Sequence, residues 1–231
     1  LDKAKVEEKT EYEIINKITK LRDVLKIKKE STIAINFEIK DGNVFSKSHI
    51  DKIYMSIENA NYYIDFAEIY KEDSTLSIQL MKEVMERYDV KKISHDIKPA
   101  YSVLYKHGIR IKSLIFDTKI AAYLIDSSSG EYKLKDLIQE YLRKDFNGDS
   151  IELGIKEVSL LNDLYKLLSD KIKDTNMEEL LYNVEQPLTE VLAIMENEGF
   201  KVDIRKLDEL GEKFSKEIAM VQTEIFNLYN F

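Results

Sequence analysis

The spacing of apolar positions changes several times along this chain, and each change marks a predicted element. Residues 1–30 are rich in charge, with Ile14, Ile15, Ile18, Leu21 and Val24 spaced for one helical face, which predicts a lead-in helix. TIAINFEI, residues 32–39, alternates apolar and polar positions and is rich in β-branched side chains. It is read as a first strand, with Asp41-Gly42-Asn43 as the turn after it. IDKIYMSI and NYYIDFAEIY flank the short polar link Glu58-Asn59-Ala60-Asn61, predicting a hairpin of second and third strands. TLSIQLMKEVMERY, residues 75–88, sets Leu76, Leu80, Val84 and Tyr88 on one stripe, a helix with Ser74 as its cap.

Short strands then alternate with helices. KKIS is read as a strand, Asp96 as the cap of the following helix and Gly108 as its stop. Pro99 falls in that helix's first turn, where a missing amide does no harm. SLIF is a further strand, Asp117 caps TKIAAYLI, and residues 127–130 form a loop. LKDLIQEYL repeats apolar positions as a helix does, and residues 145–156 are weakly patterned. VSLLNDLYKLLSDKI is amphipathic through Leu160, Leu161, Leu164, Leu167 and Leu168. Beyond about residue 175 only helical patterns remain, with Gly199 as a stop and Asp203 as a restart cap. An α/β fold follows, a mixed sheet with helices on its faces and a helical C-terminal segment. Three parts are expected: a lead-in over 1–30, a domain over 31–175 and a helical unit over 176–231.

Composition narrows the chemistry. With 44% hydrophobic residues among 231 and no cysteine, a core forms without disulfides, and a thiolate metal site is excluded. There is no run of about 18 apolar residues and no signal-like start, so the expected location is cytoplasmic, with no membrane contact. The net charge of −8 lacks the basic balance of nucleic-acid binders, so DNA contact through this chain is expected to be local or weak. Lys26, Lys28 and Lys29, and the pair Lys91-Lys92, lie among acids and read as solvated faces. His49, His95 and His107 have no metal-ligand spacing and read as surface or capping residues. The 14 tyrosines read as packing. Starting without methionine and stopping at NLYNF, the chain reads as a piece of a longer protein.

Two stretches then stand out, HDIKPAYSVLYKHGIRIKSLIFDTKIAAYLID and EQPLTEVLAIMENEGFKVD. In this order they resemble the bacterial DNA polymerase I family. The first is similar to the second motif of its 3′-to-5′ proofreading exonuclease domain, the second to the opening of its polymerase domain. The similarity spans nearly all of residues 31–231. It implies a ribonuclease H-like fold over 31–175, the first helices of a truncated polymerase domain over 176–231, and a parent nucleotidyltransferase in DNA replication and repair. Neither polymerase nor exonuclease activity is expected from this chain alone.

Active members hold two divalent ions, Mg²⁺ or Mn²⁺, on converging carboxylates. The family pattern is Asp-x-Glu on the first strand, Asp on the second-motif helix and Tyr-x-x-x-Asp on a late helix. The resemblance sets Asn36 and Glu38 on the first motif, Ala100 on the second, and Asp163 or Asn162 on the third. Ser159 or Val158 stands where the tyrosine belongs. Tyr132-x-x-x-Asp136 and Tyr141-x-x-x-Asp145 match the spelling but come too early. Glu38 and Asp163 are thus the remaining candidate metal ligands, and no bound metal is expected. Asp96, one turn before Ala100, is a further carboxylate near the site, with capping as its ordinary role. Three readings follow. The favoured one is a vestigial proofreading domain kept as a structural module that packs on the polymerase domain. The others are an exonuclease using Glu38, Asp96 and Asp163, and a non-catalytic single-stranded DNA-binding module.

Overall fold

The computed structural model describes residues 10–40, 48–128 and 130–229. The predicted turn at Asp41-Gly42-Asn43, Ser129 of the predicted loop and the extreme ends of the chain lie outside these. The described residues hold one six-stranded mixed sheet, in the order β1-β4-β3-β2-β5-β6.

The predicted lead-in helix is a strand followed by a helix. Strand β1, Glu13–Ile15, runs parallel to β4 with Ile15 opposite Ile64, and helix α1 covers Ile18–Val24. Ile14 is exposed and Ile15 fully buried, the alternation of a strand, which the helical spacing of the later apolar residues masks. Strand β2, Thr32–Lys40, pairs antiparallel with β3, His49–Ile57. The chain returns through Glu58 and Asn59, at φ 48° and 70°, into β4, Ala60–Asp65. Two left-handed residues are what a two-residue hairpin turn requires.

The predicted third strand stops at Asp65, because its carboxylate accepts the Glu68 amide at 3.2 Å and starts helix α2, Phe66–Glu72. The next cap is likewise an aspartate. Asp73, and not Ser74, receives the Leu76 amide at 2.9 Å at the start of α3, Ser74–Met85. Strand β5, Lys91–Ser94, leads to α4, Lys98–Lys106, which ends at Gly108 with φ 69°. There Ile109 N donates to Leu104 O and Gly108 N to Tyr105 O, at 3.0 and 2.9 Å, closing the last turn. Strand β6, Leu114–Asp117, follows, then α5, Thr118–Ile125, and α6, Leu134–Leu142.

Helix α7, Ser150–Asp174, begins two turns before the predicted segment. Asp149 starts it by accepting the Ile151 and Glu152 amides, both at 2.9 Å, so most of the weakly patterned stretch is helix. Apolar clusters cover both faces of the sheet. Ile33 and Ile35 of β2 join the one that holds α1, α3 and α4, and Ala34 joins the one that holds α5, α6 and α7.

The C-terminal helices are α8, Glu178–Leu180, a π-type turn over Leu181–Glu185, α9, Gln186–Glu198, and α10, Ile204–Tyr229. The chain divides into two compact units between Asn197 and Glu198. Leu181 and Ala193 are fully buried in the two clusters of the first unit. The Gln186 side chain spans β6, accepting from Asp117 N at 3.1 Å and donating to Leu114 O at 2.8 Å. In the second unit Asp203 caps α10 as predicted, accepting the Lys206 amide at 3.2 Å.

Candidate active site

Alternation along β2 turns Asn36 and Glu38 to the face covered by α7, like Ala34. Directly opposite them on β3 stand Tyr54 and Lys52. Such register pairs share a face and touch. Glu38 Oε1 accepts from Lys52 Nζ at 2.9 Å, and Oε2 accepts from the Tyr54 hydroxyl at 3.2 Å. Asn36 Oδ1 accepts the His95 amide at 3.0 Å. The Ser94 hydroxyl is 3.3 Å from the same oxygen, its shorter bond going to Ile35 O at 2.7 Å. The Lys52 pKa is raised, chiefly by its hydrogen bond to Glu38. Tyr54 also has a raised pKa, from burial first and then from the charge of Glu38, with a smaller push from Glu157. Its ring fills the space beside Gly154 of α7, where an added Cβ would lie 2.5 Å from the ring.

The other sequence-predicted positions do not join this pair. Ala100 is 2% exposed on α4, inside the apolar cluster of the opposite face. The Asp163 side chain is 53% exposed, 4.0 Å from Lys144 and 3.7 Å from Lys166. The α7 carboxylate whose charge reaches Tyr54 is Glu157, one turn after Gly154. Burial pushes its pKa up to about 7 against the pull of Lys135. Sequence reasoning missed it, although a signal was present. Glu157 stands four residues before Leu161 and seven before Leu164, on the buried stripe, whereas Asp163 lies off it.

Asp96 does not cap α4. Its backbone is left-handed, φ 55°, and its side chain pairs with Lys119 Nζ at 2.6 Å. The free amides of Asp96 and Ile97 go to the carboxylate of Asp117, at 3.0 and 2.8 Å. The same carboxylate caps α5 through Lys119 N at 2.9 Å. Burial raises the Asp117 pKa, and these three amide donors oppose the rise.

His95 is not a surface or capping residue either. Its Nδ1 lies 2.9 Å from Thr118 Oγ1, and burial lowers its pKa to about 4. His49 and His107 line one cavity with Tyr70. Lys92, predicted on a solvated face, is 1% exposed, donates to Arg87 O at 2.6 Å and has its pKa lowered to about 8 by burial. Its strand position points inward, which a two-lysine pattern does not reveal. Among the described residues no three of His, Asp and Glu gather as a metal site, and no helix is long and apolar enough to cross a membrane.

A family model described as 3′-5′ exonuclease matches residues 12–159, a span that includes β1 and Glu157. The chain belongs to this family. It is similar to a DNA polymerase I from Caldicellulosiruptor bescii, 28% identical over 225 residues, which covers 96% of this chain and 25% of that protein. A DNA polymerase I from Borreliella burgdorferi is 26% identical over 240 residues, covering 94% of this chain and 26% of the relative. The chain thus spans about a quarter of the length of these curated relatives. Among solved structures, the POL domain of Pol1 from M. smegmatis, in complex with DNA primer-template and dNTP, superposes with a TM-score of 0.72 at 20% identity. That match covers 91% of this chain and 35% of the other. The catalytic core of RRP6 from Trypanosoma brucei gives 0.62 at 15% identity, over 80% of this chain and 56% of its own. These likenesses show the fold, which is ribonuclease H-like. The chain is a 3′-5′ exonuclease-family domain of the DNA polymerase I type, followed by further helices.

Proposed function

We propose that this exonuclease-family domain does not hydrolyse DNA and serves the parent polymerase as a structural module. The observation that carries the reading is the state of the β2 pair. Asn36 stands where the family has an aspartate, its oxygen turned to the His95 amide, and both Glu38 oxygens are engaged by Lys52 and Tyr54. A hard dication needs several oxygens free to converge on one point. Each carboxylate of the alternative active-exonuclease reading meets its own lysine instead: Glu38 with Lys52, Asp96 with Lys119, Asp163 with Lys144 and Lys166. These residues do not fit Mg²⁺ or Mn²⁺. Ala100 contributes no donor atom to such a site.

Contacts between the helices after residue 175 and the preceding elements support the structural role. Gln186 bonds β6, Asn197 Nδ2 donates to Ser102 O at 3.0 Å, and Arg110 pairs with Glu190 at 3.2 Å. On this reading the domain seats the helices that open the polymerase domain, and DNA is contacted through the longer protein. The test is trimming of labelled single-stranded DNA with Mg²⁺ and with Mn²⁺. No shortening from the 3′ end is expected. Robust 3′-to-5′ trimming that disappears in Glu38→Ala would overturn the reading.

A further inference from the structure

We infer that Lys52 is a tethered cation that holds the place of a divalent ion on Glu38, so that restoring lost acids does not restore metal binding while Lys52 remains. The inference rests on the proposed loss of hydrolysis and adds its cause. Lys52 and Glu38 are register partners across β2 and β3, so strand pairing sets the two side chains next to each other on one face. The ammonium lies 2.9 Å from Oε1, with the Lys52 side chain 23% exposed and that of Glu38 44% exposed.

Both strands hold this geometry from behind. Lys52 is also paired in register with Asp65 of β4, and Tyr54, two residues along, takes the second Glu38 oxygen. Tyr54 is itself fixed by the close approach of Gly154. Glu38 therefore keeps a charge-matched partner already tethered at hydrogen-bond distance, whereas Mg²⁺ and Mn²⁺ would have to shed water and approach an ammonium at close range. An Asn36→Asp substitution adds one carboxylate to the face but leaves that repulsion in place.

The experiment is Mn²⁺ binding, followed by electron paramagnetic resonance of the free ion and by calorimetry, on the whole chain with circular dichroism as a fold check. Asn36→Asp alone should bind Mn²⁺ no better than the unaltered chain. Asn36→Asp with Lys52→Met, which keeps the aliphatic stem and removes the charge, should bind at least about tenfold more tightly. Lys52→Ala in place of Lys52→Met serves as a second neutral variant, and Lys52→Arg, which retains the charge, should abolish the gain. Equal affinity with and without Lys52, a gain that survives Lys52→Arg, or no gain in either neutral variant would each overturn the inference. Its failure is distinct from failure of the proposed function, which shows instead as trimming of DNA by the unaltered chain.

Discussion

Glu157 is held by burial near neutral pH as a partly protonated acid, its pKa raised to about 7 from an ordinary 4.5. Between those values the folded chain keeps a proton that the unfolded chain has released. Stability must therefore fall as pH rises through that window and level off above it, by no more than about 1.4 kcal/mol per pH unit. His95 works the other way. Its pKa is lowered to about 4 from 6.5, so the unfolded chain binds the extra proton, and stability rises with pH between those values. The two effects overlap and partly cancel in the unaltered chain. Urea denaturation of Glu157→Gln and the unaltered chain, at about pH 5 and about pH 7.5, separates them. The variant should gain relative stability at the higher pH, and a constant difference would show that the pKa of the Glu157 carboxyl is not raised in the folded chain. At this scale the sequence was half legible. The resemblance names Asn36, Glu38 and Ala100 as candidate positions, but partner choice depends on strand register, which placed Lys52 and Tyr54 unseen beside Glu38. Asp117 shows the same limit, since a cap contributed from the neighbouring strand displaced the local candidate Asp96.

Helix α7 is positioned by one small residue. At Gly154 an added methyl would sit 2.5 Å from the Tyr54 ring, and that ring is hemmed in by its bond to Glu38. Gly154→Ala should therefore destabilise the fold by about 1–3 kcal/mol through overpacking, despite alanine's better helix propensity. In a Tyr54→Ala background the clash is gone, and the same change should stabilise by up to about 1 kcal/mol. Chemical denaturation of the four chains of this cycle reads the sign reversal, and additivity would refute the contact. Elements were most legible where a strong period met a local stop, as at Gly108 and Asp203. They were least legible where a side-chain cap cut into an apolar run. Asp65 turned the end of a predicted strand into α2, and Asp149 began α7 before its leucine stripe becomes obvious.

Across the whole molecule, the mixed sheet with helices on both faces was legible because strand-helix alternation permits few arrangements. The share of the C-terminal helices in it was not, because side chains such as Gln186 act at long range and leave no periodic trace. Gln186 does for β6 what a neighbouring strand would do, satisfying one amide and one carbonyl on the outer side of the last strand in the sheet. A chain cut after residue 175 would keep every described strand and the exonuclease-motif positions yet present β6 as a bare edge, open to pairing with another copy. Sedimentation of fragments ending at 175 and at 197 should show self-association of the shorter, with Gln186→Leu in the longer fragment shifting it the same way. Equal behaviour of all three would show that the edge is guarded by other means. A sheet that draws its last contact from a helix beyond residue 175 cannot be cut there clean, so resistance to aggregation ties that helix to the sheet whatever chemistry the site performs.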